Sequence, residues 1–371
     1  MNKHLHIVSF DVPYPPSYGG VIEVYFKIKS LHEAGVKVHL HCFEYGRQRQ
    51  KELEKICESV SYYPRKTISA FLFSKLPYIV LSRSSEELKK NLLKDEHPIL
   101  MEGLHSTFYL NDKNFANRKI IVRTHNIEHT YYENLAKVEQ NIFKKYYFKN
   151  EASKLKKYEA ILKNASCIAA ISENDESYYS SEFPNVKYTP AFHPHHKTEI
   201  KEGKGNFAFY HGNLAVGENN QAALFLVNEV FNDLEIPFII AGSKPSKELI
   251  RATRSKPHIE LKADISTENI YSLIKEAQIN VLPTFQATGI KLKLLAVLFS
   301  GRHCIVNTPM IENTGLESLC SIADTAIEMK EKIKNVFEKE FDKNEVVRRE
   351  KILIEKFSNQ TNVEKLIQLI F

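Results

Sequence analysis

Short apolar runs recur along the chain, separated by longer stretches in which apolar residues return every three or four positions. The short runs predict buried strands at Leu5–Phe10, Val36–Phe43, Val60–Tyr63, Ile99–Glu102, Lys119–Thr124 and Ser166–Ile171. Between them, helical spacing predicts amphipathic helices over Val21–Glu33 and Ser85–Leu93. A long helical stretch is predicted over Glu128–Lys163, where Val138, Ile142, Leu155, Tyr158, Ile161 and Leu162 mostly keep the period. The pattern lapses over Phe183–Asn206, which holds Pro184, Pro190, Pro194, Gly203 and Gly205 and few apolar residues after Phe192. A second series follows, with strands at Phe207–Tyr210, Pro237–Ala241, Ile259–Lys262, Ile279–Leu282 and His303–Val306, and two further helices over Thr325–Phe371. Strands alternating with helices predict parallel sheets covered on both faces. The expected class is α/β, with two facing doubly wound, Rossmann-like domains and ligands in the crevice at the carboxyl ends of the strands. The boundaries read as 1–190 for the first domain, 191–206 for a linker and 207–371 for the second domain.

Composition narrows the function classes. A length of 371 residues suits two domains, and 43% hydrophobic with 26% charged residues is the balance of a soluble globular protein. No run approaches the roughly 18 apolar residues of a spanning helix. The start, Met1 to His6, leads into a strand without a secretory apolar region, so a cytoplasmic protein is expected. Cys42, Cys57, Cys167, Cys304 and Cys320 are scattered, odd in number and without a Cys-x-x-Cys, which predicts reduced thiols rather than disulfides or a zinc site. A net charge of +6 permits an anionic substrate or anionic lipid and does not call for nucleic acid.

The most informative stretch is Ile279-Asn280-Val281-Leu282-Pro283 followed by Thr288-Gly289-Ile290-Lys291-Leu292-Lys293-Leu294-Leu295. It predicts a buried strand, a short loop and an abrupt helix start. Gly289 allows close approach to the backbone, and Lys291 sits where the helix dipole disfavours a cation. That combination suits a docked phosphate; an ordinary strand-to-helix turn with a surface lysine fits it too. Two more loops of this kind are His211-Gly212-Asn213 and Ala241-Gly242-Ser243-Lys244. No P-loop motif occurs, Gly203 and Gly205 lack a third Gly at the dinucleotide-binding offset, and no Asp-x-Asp pair occurs. No metal ligands are therefore assigned.

Thr288–Leu295 and its continuation Ala296 to Asn307 resemble the nucleotide-sugar-binding segment of GT-B glycosyltransferases. The chain more narrowly resembles bacterial members of the retaining, glycogen-synthase-like (group 1) clan, through Pro13–Tyr25, Arg123–Ala136, Ile171–Asp175 and His211–Ala222. The resemblance implies a hexosyl, including mannosyl, transfer from a nucleotide-diphosphate sugar, used as donor substrate with no cofactor, to a saccharide or lipid-linked saccharide. It also implies a role in polysaccharide biosynthesis, without metal and with retention at the anomeric carbon. Gly20, Gly212, Asn213, Lys244, Thr288, Gly289 and Lys291 would hold the donor. The chain departs from the clan where two glutamates are usual: Thr288 and Ala296 stand there.

In the first half, Pro13-Tyr14-Pro15-Pro16-Ser17-Tyr18-Gly19-Gly20 is a stiff loop that would face the acceptor through Tyr18 and Gly19. Arg123-Thr124-His125-Asn126-Ile127-Glu128 ends a strand and opens a helix, and places titratable groups at a carboxyl strand end. His125 and Glu128 are the catalytic candidates, with Glu102, His105 and Arg123 toward the acceptor. A plain helix start capped by Asn126 fits the same residues. His193-Pro194-His195-His196 reads as a loop of solvated histidines. Lys144–Lys149, basic and aromatic, reads either as a peripheral membrane face or as a solvated helix packing its aromatics inward. Two rivals keep the same build: a sugar-nucleotide epimerase, and a non-catalytic nucleotide-sugar-binding relative.

Overall fold

The computed structural model describes residues 3–67, 71, 74–139, 141–285 and 292–371. The chain forms two compact units. The first holds the residues up to Pro194 together with Asn359–Phe371, and the second spans His195 to Ser358.

The first unit is built on a parallel sheet of β1 (His4–Ser9), β2 (Lys37–Glu44), β3 (Ser59–Pro64), β4 (Ile99–Glu102), β5 (Ile120–Arg123), β6 (Cys167–Ala170) and β7 (Val186–Tyr188). Its order is β3-β2-β1-β4-β5-β6-β7. Alternate residues face opposite ways, so Leu5, Ile7, Val38, Leu40 and Leu100 enter one core with the helix Gly19–Glu33, while Val8, Phe43, Ile99 and Met101 enter another. The second unit carries β8 (Ala208–His211), β9 (Phe238–Gly242), β10 (Ile259–Ala263), β11 (Ile279–Leu282), β12 (His303–Val306) and β13 (Ser321–Ile322), in the order β10-β9-β8-β11-β12-β13. Both orders run outward from the first strand and then reverse, which is the doubly wound plan expected above. The reversal places a switch point between β1 and β4, and another between β8 and β11.

Four expectations change. Thr325–Phe371 holds three helices, Ala326–Phe337, Lys343–Phe357 and Asn359–Ile370, where two were expected. The stretch Glu128–Lys163 is not one helix: Glu128–Val138 and Ile142–Tyr158 are separate, and the Asn141 side chain accepts hydrogen bonds from the Phe143 and Lys144 amides to cap the second. Helical periodicity continues across the break, so an apolar count alone misses it. The last helix, Asn359–Ile370, belongs to the first unit, where Val363, Leu366 and Ile370 share a core with Val24 and Ile28. An amphipathic pattern shows that a face is buried but not against which sheet. His193 is also not solvated: it is buried, and the Asn359 side chain donates to its carbonyl at 2.6 Å.

Candidate functional site

The carboxyl ends of β1, β4 and β5 carry a buried ionic network. The helix Gly19–Glu33 follows β1 and turns Glu23 and Lys27, one helical turn apart, toward the sheet. Lys27 Nζ donates to Glu23 Oε2 at 2.7 Å and to Glu102 at 2.8 Å. Arg123, the last residue of β5, donates to Glu23 Oε1 through Nε at 3.0 Å and Nη2 at 2.8 Å. Its other N–H groups go to the carbonyls of Thr189, Ala170 and Pro190. Glu23, Lys27, Glu102 and Arg123 have essentially no exposed surface, so two cations balance two carboxylates out of water. Burial would raise the Glu23 pKa, but the Lys27 ammonium, the Arg123 guanidinium and His125 hold it down at about 2. The sequence places Arg123 and Glu102 toward the acceptor; neither has surface to offer one, and both instead fix the network.

His125 is the rim of this network. Its Nε2 donates to Glu102 Oε2 at 2.8 Å, and Phe10 meets its ring edge-on at 5.3 Å. A second titratable pair lies alongside. Gly103, at φ +65°, turns the chain after β4, and a Cβ there would meet His105 Nδ1 at 2.9 Å. His105 Nδ1 faces Glu128 Oε1 at 3.9 Å, and neither atom has a hydrogen-bond partner among the described residues. Burial, with Asp175 and Glu159 nearby, raises Glu128 to about 8 against the pull of Arg83. Burial and the Arg83 guanidinium push His105 far below the usual histidine range. A protonated carboxyl thus faces an unprotonated imidazole at neutral pH.

The Pro13–Gly20 loop packs against this end. The Tyr18 hydroxyl donates to Asp11 Oδ2 at 2.8 Å, and a Cβ at Gly20 would strike the Phe10 ring at 2.8 Å. Gly19, by contrast, has open space where a side chain would be.

In the second unit, the loops after β8 and β9 press together. A Cβ on Gly242 would lie 1.9 Å from the Gly212 carbonyl oxygen, so only glycine fits there. Asn213 Oδ1 accepts from the Ala215 amide at 3.1 Å and from Ser243 Oγ at 3.0 Å, which ties the two loops. Lys244 is exposed and left-handed at φ +52°, its amide donating to Asp264 Oδ1 at 3.0 Å. Thr288, Gly289 and Lys291 lie outside the described residues. The helix Leu292–Ser300 carries Lys293. Lys293 Nζ lies 5.3 Å from the centre of the Tyr210 ring and donates to Asn219 Oδ1 at 3.1 Å, in the first turn of the helix Gly217–Phe225. Burial and the Lys293 charge push His211 down to about 3. Glu218 is buried in the same turn and accepts from Thr284 Oγ1. The Lys293 ammonium therefore lies on the first turn of the helix Gly217–Phe225, at the carboxyl ends of β8 and β11, with the Glu218 carboxylate in the same turn.

Sequence reasoning passes over Glu23, Lys27, Arg83 and Lys293, and notes Glu218 only as the start of a helix near where the retaining clan often carries an Arg and a Lys. A signal existed for the first two: charged residues on the helix face that also carries Val24, Ile28 and Leu31. Lys293 stood in the motif already singled out, two residues beyond Lys291. Arg83 gives no signal.

No protein-family model matches the chain. It is 27% identical over 328 residues, 83% of its length and 84% of the relative's, to an uncharacterized 44.6 kDa protein in the cps region of Klebsiella pneumoniae. Among solved structures it is similar to sucrose-phosphate synthase from Thermosynechococcus elongatus, with a TM-score of 0.70 and 14% identity over 99% of this chain and 98% of that one. TarM superposes with a TM-score of 0.70 and 12% identity, covering 99% and 98%. Anabaena HepE in complex with UDP and glucose gives 0.66 and 11%, covering 99% of each chain. With both sheets in Rossmann order and these structures matched end to end, the chain has the GT-B glycosyltransferase fold.

Proposed function

We propose that the protein transfers a hexosyl group from a nucleotide-diphosphate sugar to a hydroxyl of a saccharide or lipid-linked saccharide. The observation that carries this reading is the Lys293 ammonium seated on the first turn of the helix Gly217–Phe225 at the switch point of the second sheet. A cation beside a helix N-terminus suits an anion at the place where doubly wound folds bind nucleotides. The donor diphosphate sits there, beside Gly212, Asn213 and Lys244, and its developing charge is stabilised without a metal. The acceptor binds at the first unit, with Tyr18 and Gly19 at the loop and His125, His105 and Glu128 around its hydroxyl. Glu128, near 8, and the neutral His105 form a proton relay suited to neutral pH. His125 is held by Glu102 to orient the hydroxyl. Retention at the anomeric carbon follows from the resemblance to the retaining clan. The cps-region relative supports a place in polysaccharide assembly. Exposed Ile142, Phe143 and Tyr146 beside Lys144 and Lys149 support peripheral contact with lipid.

The test is a thermal-shift panel of UDP-, GDP-, ADP- and CMP-sugars on chain already freed of metal, with magnesium or EDTA added. UDP-sugars come first because the similar HepE structure holds UDP. A shift with one nucleotide family, unaltered by EDTA, is expected. No shift with any of them removes the donor site. Binding without donor hydrolysis or transfer leaves the non-catalytic reading, and product formed without an acceptor favours the epimerase.

A further inference from the structure

The sheet face that carries Val8, Phe43, Ile99 and Met101 into the core turns to histidine at its other end. With a period of two, β1 places His4 and His6 on that face, β2 places His39 and His41, and His97 precedes β4 in the same phase. Strands of a covered parallel sheet are normally apolar on both faces, so five imidazoles there need an account.

Two of them are complete as structure. A carboxylate only accepts, so His6 Nε2 donates to Asp95 at 3.0 Å and its Nδ1 must accept. His41 Nε2 donates to that Nδ1 at 2.9 Å, and His41 Nδ1 accepts from the Tyr63 hydroxyl at 2.8 Å. Asn91 Nδ2 donates to Tyr63 in turn at 2.8 Å. Every ring nitrogen of the inner pair is engaged.

The outer three sit nearer solvent. His4, His39 and His97 are half-buried, and each offers a nitrogen such that all three lie within 4.8 Å of one another. His4 Nδ1 and His39 Nε2 share a hydrogen bond at 3.0 Å that an ion would replace, and the His97 ring lies flat against His4 at 4.7 Å. The far nitrogen of His39 is held by Ser59 Oγ at 2.9 Å. A tetrahedral ion with bonds of about 2.0–2.1 Å needs its ligands roughly 3.3 Å apart, so the His97 ring must swing out of its stack on His4 to aim its in-plane lone pair at an ion held between His4 and His39. Ser59 then plays the outer hydrogen-bonding part that orients metal-bound histidines.

We propose that His4, His39 and His97 bind one divalent transition-metal ion of the imidazole-preferring kind, Zn²⁺ being the probe, with water at the fourth position. All-nitrogen ligation disfavours Ca²⁺ and Mg²⁺, which take oxygen. His4 opens β1, whereas Glu102 and Arg123 end β4 and β5, so the ion sits at the opposite edge of the sheet from the proposed acceptor site. It takes no part in transfer; it clamps β1, β2 and the approach to β4.

The experiment is calorimetric titration of the EDTA-stripped full chain with Zn²⁺. One ion per chain is expected. His97→Ala and His39→Ala should each weaken binding at least tenfold, Ser59→Ala should weaken it less, and His196→Ala should leave it unchanged. Absence of stoichiometric binding, full affinity in His97→Ala, or loss in His196→Ala overturns the site. Because a variant can misfold, the unaltered chain is also titrated with Co²⁺. Visible d–d absorption without thiolate charge transfer is expected, and a thiolate band assigns the ion to a cysteine and overturns the proposal.

Discussion

Glu23 and Glu128 are buried carboxylates that answer pH in opposite senses. Glu23 is held at about 2, so its ion pairs contribute stability fully above the unfolded value near 4.5, and that contribution fades as pH falls from about 4.5 toward 2. Glu128 is raised to about 8, so ionisation is opposed in the folded state and stability is lost as pH rises from about 4.5 through 8. Glu128→Gln should therefore match the parent in urea midpoint near pH 4.5 and exceed it by a growing margin up to pH 8, while transfer activity falls. A margin independent of pH removes the buried-acid account of Glu128. Glu23→Gln leaves the Arg123 guanidinium and Lys27 ammonium with one carboxylate between them in a dry site, and should cost about 3–5 kcal/mol in urea unfolding at pH 7. Lys293→Ala should leave the urea midpoint nearly unchanged and weaken nucleotide binding by about 1.5–3 kcal/mol, roughly 10- to 150-fold by calorimetry. Undiminished affinity would take Lys293 out of the donor site. These residues show where sequence reading runs out. Glu102, His125 and Glu128 stood out because they sit at strand ends. Glu23 and Lys27 did not, because an i,i+4 ion pair reads as a solvated helix face until the fold turns it inward.

At the level of elements, glycines separate architecture from chemistry. Gly242→Ala would drive a Cβ into the Gly212 carbonyl, so the two loops must part; a large loss of thermal stability or of soluble protein is expected. Gly19→Ala meets nothing within 4 Å, so its melting temperature should match the parent's within about a degree or two. Any loss of transfer rate in Gly19→Ala then reports a ligand passing close to the backbone, and unchanged kinetics assign Gly19 to the turn alone. The same contrast explains what was legible. The strands Ile99–Glu102, Ile279–Leu282 and His303–Val306 were readable to the residue, because each is a short apolar run cut off at both ends. β7 and β13, at three and two residues, carry too little pattern to register. The helix break before Ile142 was hidden because its cap, Asn141, lies between two stretches of the same period. The docking of Asn359–Ile370 on the first unit depends on which sheet has an uncovered face, and no local pattern records that.

For the whole molecule, the net charge of +6 and the distribution of exposed apolar side chains bear on where it works. No helix among the described residues is long and apolar enough to cross a membrane. The helix Ile142–Tyr158 nevertheless opens with Ile142, Phe143 and Tyr146 at 73%, 83% and 74% exposure, with Lys144 and Lys149 also exposed. Tyr147 and Phe148 are partly buried, and Phe148 packs against Tyr132, so the helix divides its aromatics between core and solvent rather than turning all of them inward. On the proposed reading this face meets a lipid interface. Each such side chain stabilises the bound state by about 1.5–3 kcal/mol when fully buried, and each lysine near an anionic surface adds about 1 kcal/mol. The protein should therefore float with vesicles containing anionic phospholipid and bind vesicles of neutral lipid less well, with the difference shrinking at high salt. Phe143→Ser with Tyr146→Ser should reduce flotation at least tenfold without shifting the melting temperature, since neither side chain is buried. Flotation unchanged in that double variant would leave only diffuse attraction from the basic surface, and transfer to a lipid-linked acceptor would then need no docking by this helix.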